Sequence, residues 1–359
     1  MYNTDSKVAI TADTNANIVS GQTYARSEFG ISGGIFWSPK STYLAFYQKD
    51  ETDVADYPLL DITETPGKLM NIKYPMIGQK SEKPKVGIYN LANKKTIFIT
   101  PNGKSDSYLT NLSWTPDEQF IRIAEVNREQ NDMSLNLYNA ATGTYIQTLV
   151  NERNDRWVEP EHPAFFPSGS SNNFVWMSEK DGFQNLYYYS IDGKLIRQLT
   201  INKFVTKSIL GSNDKGTEIY FEATGPDATN TLAYKVDTRG KQTLLTKTNG
   251  THTVLPSYDG KYFFDEYSNA TTPSKSLLLN ASLTETVLVE STNKYKDYTM
   301  GTAEINLIKS ADDTTQLVTR LIKPSNFDPK KKYPVLVYVY GGPHAQMITN
   351  SYLSGANLW

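Results

Sequence analysis

A turn-and-strand pattern returns along this chain at a spacing of about 45 residues, and that period restricts the fold more than any other feature. A bulky or apolar residue precedes a Ser/Pro/Asp/Gly turn, and an alternating strand follows. The turns are Trp37-Ser-Pro-Lys-Ser41, Trp114-Thr-Pro-Asp-Glu118, Phe166-Pro-Ser-Gly169, Gly211-Ser-Asn-Asp-Lys-Gly216 and Pro256-Ser-Tyr-Asp-Gly260. The strands after them are Tyr43-Leu-Ala-Phe-Tyr47, Phe120-Ile-Arg-Ile-Ala124, Asn173-Phe-Val-Trp176, Glu218-Ile-Tyr-Phe221 and Lys261-Tyr-Phe-Phe264. Most units close with a further pair, as in Leu186-Tyr-Tyr-Tyr189, an Asp192-Gly193 turn and Leu195-Ile-Arg-Gln-Leu199. Asp-Gly between alternating runs is a strong hairpin signal. Four strands per unit at this period predict a β-propeller, because helical solenoids of similar period need amphipathic stripes of 3.6-residue spacing. The fold class expected is therefore all-β.

About five full blades are expected between residues 34 and 293, with strand fragments before residue 20. The unit after Pro39 is longer than the others, so residues 50–76 are expected to leave the body as an inserted arm, a common place for partner contact. An incomplete ring would leave unpaired strand edges, which suggests a chain cut at both ends. After Asn293 the period breaks. Glu304-Ile-Asn-Leu-Ile-Lys309 and Leu317-Val-Thr-Arg-Leu-Ile322 predict a hairpin around Ser310-Ala-Asp-Asp313. A polar linker then leads to Tyr333-Pro-Val-Leu-Val-Tyr-Val-Tyr340, read as a buried strand running into Gly341-Gly342. The domain reading is a propeller over 1–295 and the beginning of a second, α/β-hydrolase-like domain over 296–359.

Composition closes off several functions. With 36 basic and 38 acidic residues the net charge is −2, which implies neither a nucleic-acid footprint nor a polybasic membrane patch. The 24 Tyr, 14 Phe and 5 Trp supply core surface and favour strands. There is no cysteine, hence no disulfide, thiolate metal site or cysteine nucleophile. No apolar window is long enough to span a bilayer, and the residues after Met1 do not read as a signal peptide. His162, His252 and His344 show no ligand spacing, so neither a metal nor another cofactor is expected. Asp312 and Asp313 read as a solvated hairpin tip. Gly30-Ile-Ser-Gly-Gly34 matches G-x-S-x-G, yet a nucleophile elbow needs a helix after the serine, and here another strand follows.

Three passages resemble one family. They are Glu28-Phe-Gly-Ile31 leading to Phe36-Trp-Ser-Pro-Lys40 and Leu44-Ala-Phe-Tyr47; Tyr74-Pro-Met-Ile-Gly78; and Val337-Tyr-Val-Tyr-Gly-Gly-Pro-His-Ala-Gln346. They resemble the dipeptidyl peptidase IV branch of the prolyl oligopeptidase family of serine peptidases. Within it they are most similar to bacterial prolyl tripeptidyl aminopeptidases. The resemblance implies an eight-bladed propeller and an α/β-hydrolase domain, acting as a serine exopeptidase on peptides with proline near the N-terminus. It further implies a homodimer through the arm and a periplasmic or cell-surface location in a bacterium. The Ser-Asp-His triad would lie beyond Trp359, so the fragment itself would be inactive.

On that resemblance Glu28 is the substrate-binding candidate, since a carboxylate can hold the free α-amine by charge-assisted hydrogen bonds. Ala25-Arg-Ser-Glu-Phe29 has one carboxylate where the dipeptidyl branch has adjacent glutamates, a departure similar to the tripeptidyl pattern. Tyr340 would donate to the oxyanion in the complete enzyme. Trp157, in a segment between blades, is the second substrate-binding candidate, with core packing as the competing reading. Two other functions stay open at this point: a non-catalytic propeller scaffold, and an endopeptidase or acylaminoacyl peptidase of the same superfamily.

Overall fold

The repeated turns share one closing device. In four of the five, a side-chain oxygen accepts the N–H of the residue five positions on, which opens the next strand. Ser38 Oγ takes Tyr43 N–H at 2.9 Å, Thr115 Oγ1 takes Phe120 N–H at 3.1 Å, Asn213 Oδ1 takes Glu218 N–H at 3.1 Å and Ser257 Oγ takes Tyr262 N–H at 3.0 Å. The residue three positions on has positive φ in every case: Ser41 at 58°, Glu118 at 65°, Gly216 at 63° and Gly260 at 69°. Its N–H returns to the carbonyl of the capping residue, at 2.8–2.9 Å. Short polar side chains that bond their own backbone are what such turns select. The same device closes the later hairpin, where Ser310 Oγ accepts Thr315 N–H at 3.0 Å and Asp313 has φ of 58°.

The computed structural model describes residues 8–170, 172–342 and 344–353, and the side chains of all of these except Arg26 and Ser27. The fold is nearly all β, in consecutive antiparallel sheets of the propeller-blade kind. The first sheet holds Ile18–Ser20, Ile35–Trp37, Tyr43–Asp50, Lys83–Asn90 and Lys95–Phe98. The second is a meander of Tyr108–Trp114, Phe120–Val126, Asp132–Asn139 and Tyr145–Arg153. The third has three strands, Asn173–Ser178, Asn185–Ser190 and Leu195–Gln198. Where a fourth strand is expected there is one bridge, Phe165 to Val175. The fourth sheet runs Thr206–Ser212, Glu218–Ala223, Leu232–Asp237 and Gln242–Leu244. The fifth runs Thr251–Pro256, Tyr262–Ser268, Lys275–Asn280 and Glu285–Glu290. Asp56–Asp61 and Lys68–Lys73 pair as the expected arm, and Thr302–Lys309 pairs with Gln316–Lys323.

Two compact units divide the chain. One is Met1–Phe166 with Ser170–Lys180 and Leu186–Arg197; the other is Pro167–Gly169, Asp181–Asn185 and Gln198–Trp359. In the first, the second sheet is covered on both faces. Ile121 and Ile123 join Ala45, Tyr47, Val86 and Ile88 of the first sheet in one apolar cluster. Ala124 and Val126 of the same strand join Phe174, Trp176, Tyr187 and Tyr189 of the third sheet in another. An alternating sequence thus becomes a strand buried on both faces, because the second sheet is packed between the first and the third. In the second unit Tyr220, Ala233, Val254, Phe263 and Leu277 form the corresponding cluster.

One expected element is absent. Residues 333–340 form no strand, and among the described residues none pairs with them. The apolar side chains there are open, Leu336 at 95% and Tyr340 at 65% of full exposure. A β-prone run becomes a central strand only when ladder partners flank it on both sides. The glycines after it are explained locally. Gly341 has φ of 67°, and a Cβ on Gly342 would lie 2.4 Å from the Tyr340 ring.

Candidate functional site

Glu28 sits in a 3₁₀ segment, Ala25–Gly30, whose backbone is fixed at both ends. At the start, the buried Tyr24 hydroxyl donates to Leu109 C=O at 2.6 Å and accepts Leu109 N–H at 2.7 Å. The Tyr24 ring stands edge-on to Tyr47, 5.0 Å between centroids. Ala25 N–H donates to Glu82 Oε1 at 2.8 Å, tying the segment to the chain just past the arm. At the far end Phe29 is buried with its ring 4.8 Å from Tyr108, and its carbonyl accepts from Thr110 Oγ1 at 2.9 Å. Phe29 and Gly30 both take positive φ, 54° and 67°. A non-glycine residue there is strained and persists only where its surroundings enforce it.

The residue beside Thr110 does the same for a second segment. The register of the Tyr108–Trp114 strand shifts between Thr110 and Ser113, and Asn111 within this bulge has φ of 54°. Bulges re-aim side chains, and asparagine tolerates the left-handed region. Asn111 Nδ2 consequently donates to Pro160 C=O at 2.7 Å. Val158 N–H donates to Gln130 C=O at 2.7 Å, holding the same stretch. Gly30 then lies directly on this stretch, since a Cβ at Gly30 would stand 1.9 Å from the Glu161 carbonyl oxygen.

Glu28 and Trp157, far apart in sequence, are therefore carried on two segments pinned side by side. The Glu28 carboxylate is exposed, and among the described residues no hydrogen bond holds it. Trp157 is 55% exposed. An exposed carboxylate on a backbone held at both ends can receive a cationic group. Thr110, Asn111, Tyr24 and Glu82 build this arrangement and carry no sequence signal of their own. Nearby, Arg128 lies 5.3 Å from the Tyr108 ring centroid and donates to the Tyr108 hydroxyl.

Tyr340 belongs to the other compact unit, where it stands exposed ahead of Gly341. Of the histidines, His252 is buried and structural. Its Nδ1 is 2.9 Å from Asp265, its Nε2 is 2.8 Å from Thr248 C=O, and its ring stacks on Tyr267 at 4.8 Å. Asp312 is the turn acceptor expected, taking Ser310 Oγ at 2.5 Å and Thr314 N–H at 3.1 Å. Those bonds pull its carboxyl down to about 2. The G-x-S-x-G match leads from the 3₁₀ segment into the strand Ile35–Trp37, so no elbow forms.

Successive antiparallel sheets of the propeller-blade kind define the class of fold. The family profile for the dipeptidyl peptidase IV (DPP IV) N-terminal region matches residues 2–274, and the chain belongs to that family. A Bacteroides ovatus protein described as a dipeptidyl aminopeptidase IV superposes with a TM-score of 0.90 at 38% identity, over 98% of this chain and 53% of that one. Dipeptidyl peptidase 4 of Porphyromonas gingivalis superposes with a TM-score of 0.86 at 26% identity, over 97% of this chain and 50% of that one. Dipeptidyl peptidase 4 of Trichophyton rubrum is 25% identical over 381 aligned positions, 99% of this chain and 48% of its own. The chain thus spans about half the length of the relatives it matches. The Trichophyton rubrum and Porphyromonas gingivalis relatives are described as dipeptidyl peptidases. Among the described residues no helix is long and apolar enough to cross a membrane.

Proposed function

We propose that this chain is the propeller portion of a post-proline serine exopeptidase, that it gates access to the reaction site, and that Glu28 holds the substrate's N-terminal ammonium. The observation that carries this reading is the turn itself. Tyr24, Thr110, Glu82 and Gly30 fix the backbone of Ala25–Gly30, leaving the carboxylate exposed to meet a ligand. Trp157 would pack the side chain of a residue near the substrate N-terminus. Attack, proton transfer and deacylation would follow the Ser-His-Asp scheme in the complete enzyme, with Tyr340 as an oxyanion donor. Residues 296–359 would open the peptidase domain. The substrates would be peptides with proline near the N-terminus, released as di- or tripeptides. A periplasmic or cell-surface site of action is part of the same proposal, as is a second copy bound through the arm at 50–76, where Leu60 and Leu69 are exposed.

The test is Glu28→Gln in the complete gene product. On a free-amine substrate with proline before the scissile bond, kcat/KM should fall roughly 30- to 1,000-fold, the equivalent of losing about 2–4 kcal/mol of charge-assisted binding. An N-blocked analogue should be cleaved no worse than before. Equal losses on both substrates would give the carboxylate some other task, and unchanged cleavage of the free-amine substrate would remove it from the site.

A further inference from the structure

The strand Phe120–Val126 carries Arg122 into the apolar cluster between the second and third sheets. Arg122 is fully buried, and its guanidinium carbon lies 4.4 Å from the Phe166 ring centroid and 4.7 Å from that of Phe174. The two rings take up the cation's charge in part, through their faces. They cannot serve its N–H groups, which point outward in the guanidinium plane. Nε, Nη1 and Nη2 have no hydrogen-bond partner among the described residues. Directly across the ladder stands Ser113, buried, and its hydroxyl also lacks a partner among them. Two neighbouring cross-strand side chains thus leave all their polar atoms unsatisfied in one place. Buried donors rarely stay so, and a buried charge without a counter-charge is rarer still.

The surroundings limit what can complete the pair. Asp117, the carboxylate whose charge bears on Arg122, accepts from Thr115 Oγ1 and Gln119 N–H on one oxygen, Oδ1, and no hydrogen bond joins it to the guanidinium. On its other ladder side Arg122 meets Leu137. A polyatomic oxyanion would need further donors for its outer oxygens, and Leu137, Phe166 and Phe174 offer none. Water would satisfy donors but leave the cation to Asp117 alone, which makes no hydrogen bond to the guanidinium. Burial pushes the guanidinium down to about 9, so it remains protonated at neutral pH and demands an anion. We propose that Arg122 and Ser113 bind a halide, chloride under ordinary conditions, in the seam between the second and third sheets. Ser113 lies on the same strand as Thr110 and Asn111, so the ion would stiffen the strand that positions Glu28 and Trp157.

Crystals of the chain exchanged into bromide, measured at the bromine edge, test this directly. An anomalous peak is expected within hydrogen-bonding distance of the Arg122 guanidinium and Ser113 Oγ. In solution, thermal unfolding is compared in sodium chloride and sodium gluconate at equal ionic strength. Above half-saturation each tenfold rise in chloride should shift the apparent unfolding constant up to tenfold, and gluconate should not. Ser113→Ala should weaken that dependence and Arg122→Met abolish it. If Arg122→Met fails to fold, the native-chain measurements still decide. Ordered water without anomalous signal, or identical unfolding in the two salts, overturns the proposal. A bromide peak with no chloride dependence means an adventitious ion only, and overturns it equally.

Discussion

Tyr24→Phe is the sharpest perturbation of the scaffold under Glu28. It removes one oxygen and leaves the ring, so the edge-on contact with Tyr47 survives. The lost oxygen makes two short bonds, 2.6 Å to Leu109 C=O and 2.7 Å from Leu109 N–H, around a residue that is 2% exposed. Each bond contributes about 1 kcal/mol net, and a buried peptide group left without a partner costs about 1–3 kcal/mol more. Some relaxation is unavoidable, so the expected loss is about 2–3 kcal/mol. It should be felt first at the Leu109 amide, whose hydrogen-bond acceptor is Tyr24. Hydrogen exchange at that amide should accelerate roughly 30- to 150-fold, since each 1.4 kcal/mol is a factor of ten in the opening equilibrium. Residues 24–30 should open with it, while the fifth sheet exchanges as before. The control is Thr110→Val, which removes one bond to Phe29 C=O and should cost about half as much. A Tyr24→Phe protein whose Leu109 amide exchanges within about threefold of the native rate would refute the claim that this hydroxyl pins the turn.

Two further expectations concern pH and assembly. Burial holds the phenols of Tyr24, Tyr47 and Tyr138 well above the ordinary tyrosine value in the folded state, with neighbouring Glu125 adding to the effect at Tyr138. A raised folded-state value stabilises the fold fully below about pH 10 and is lost as pH climbs above it; absorbance at 295 nm should therefore rise together with loss of circular dichroism, and smooth phenolate formation in an intact fold would contradict this. Replacing the arm hairpin Asp56–Asp61 and Lys68–Lys73 by a short Gly-Ser link should convert a dimer to a monomer in sedimentation velocity, and a dimer that survives the deletion would locate the interface elsewhere.

The blades were legible in the sequence because their turn chemistry is local. A capping Ser, Thr or Asn, a turn residue three places on and a strand two places later fall within six residues, and no tertiary contact is needed to see them. The rule tolerates variety: Ser41 and Glu118 fill the left-handed position that Gly216 and Gly260 fill elsewhere. That is why the period survives while the residues differ. Residues 333–340 mislead for the opposite reason. Their Val/Leu/Tyr run encodes a preference for strand, but the ladder that would use it must come from other segments.

The candidate site divides along the same line. Glu28 and Trp157 are picked out by the family resemblance, not by their own sequence context. The nearness of their two segments could not be read there, since it depends on a bulge that turns Thr110 and Asn111 toward two different segments. A polar Thr-Asn pair in a strand reads as an ordinary solvent face. Arg122 is hidden in the same way: in Phe-Ile-Arg-Ile it looks like the outward residue of an alternating strand. Only the third sheet packing on that face makes it buried. In a propeller each blade covers the next, so a polar residue on an inner blade face must find a partner or a use. Thr110 and Asn111 find peptide carbonyls, and their bonds hold the segments of Glu28 and Trp157 near each other; Arg122 and Ser113 find none among the described residues, and for that reason they call for an ion.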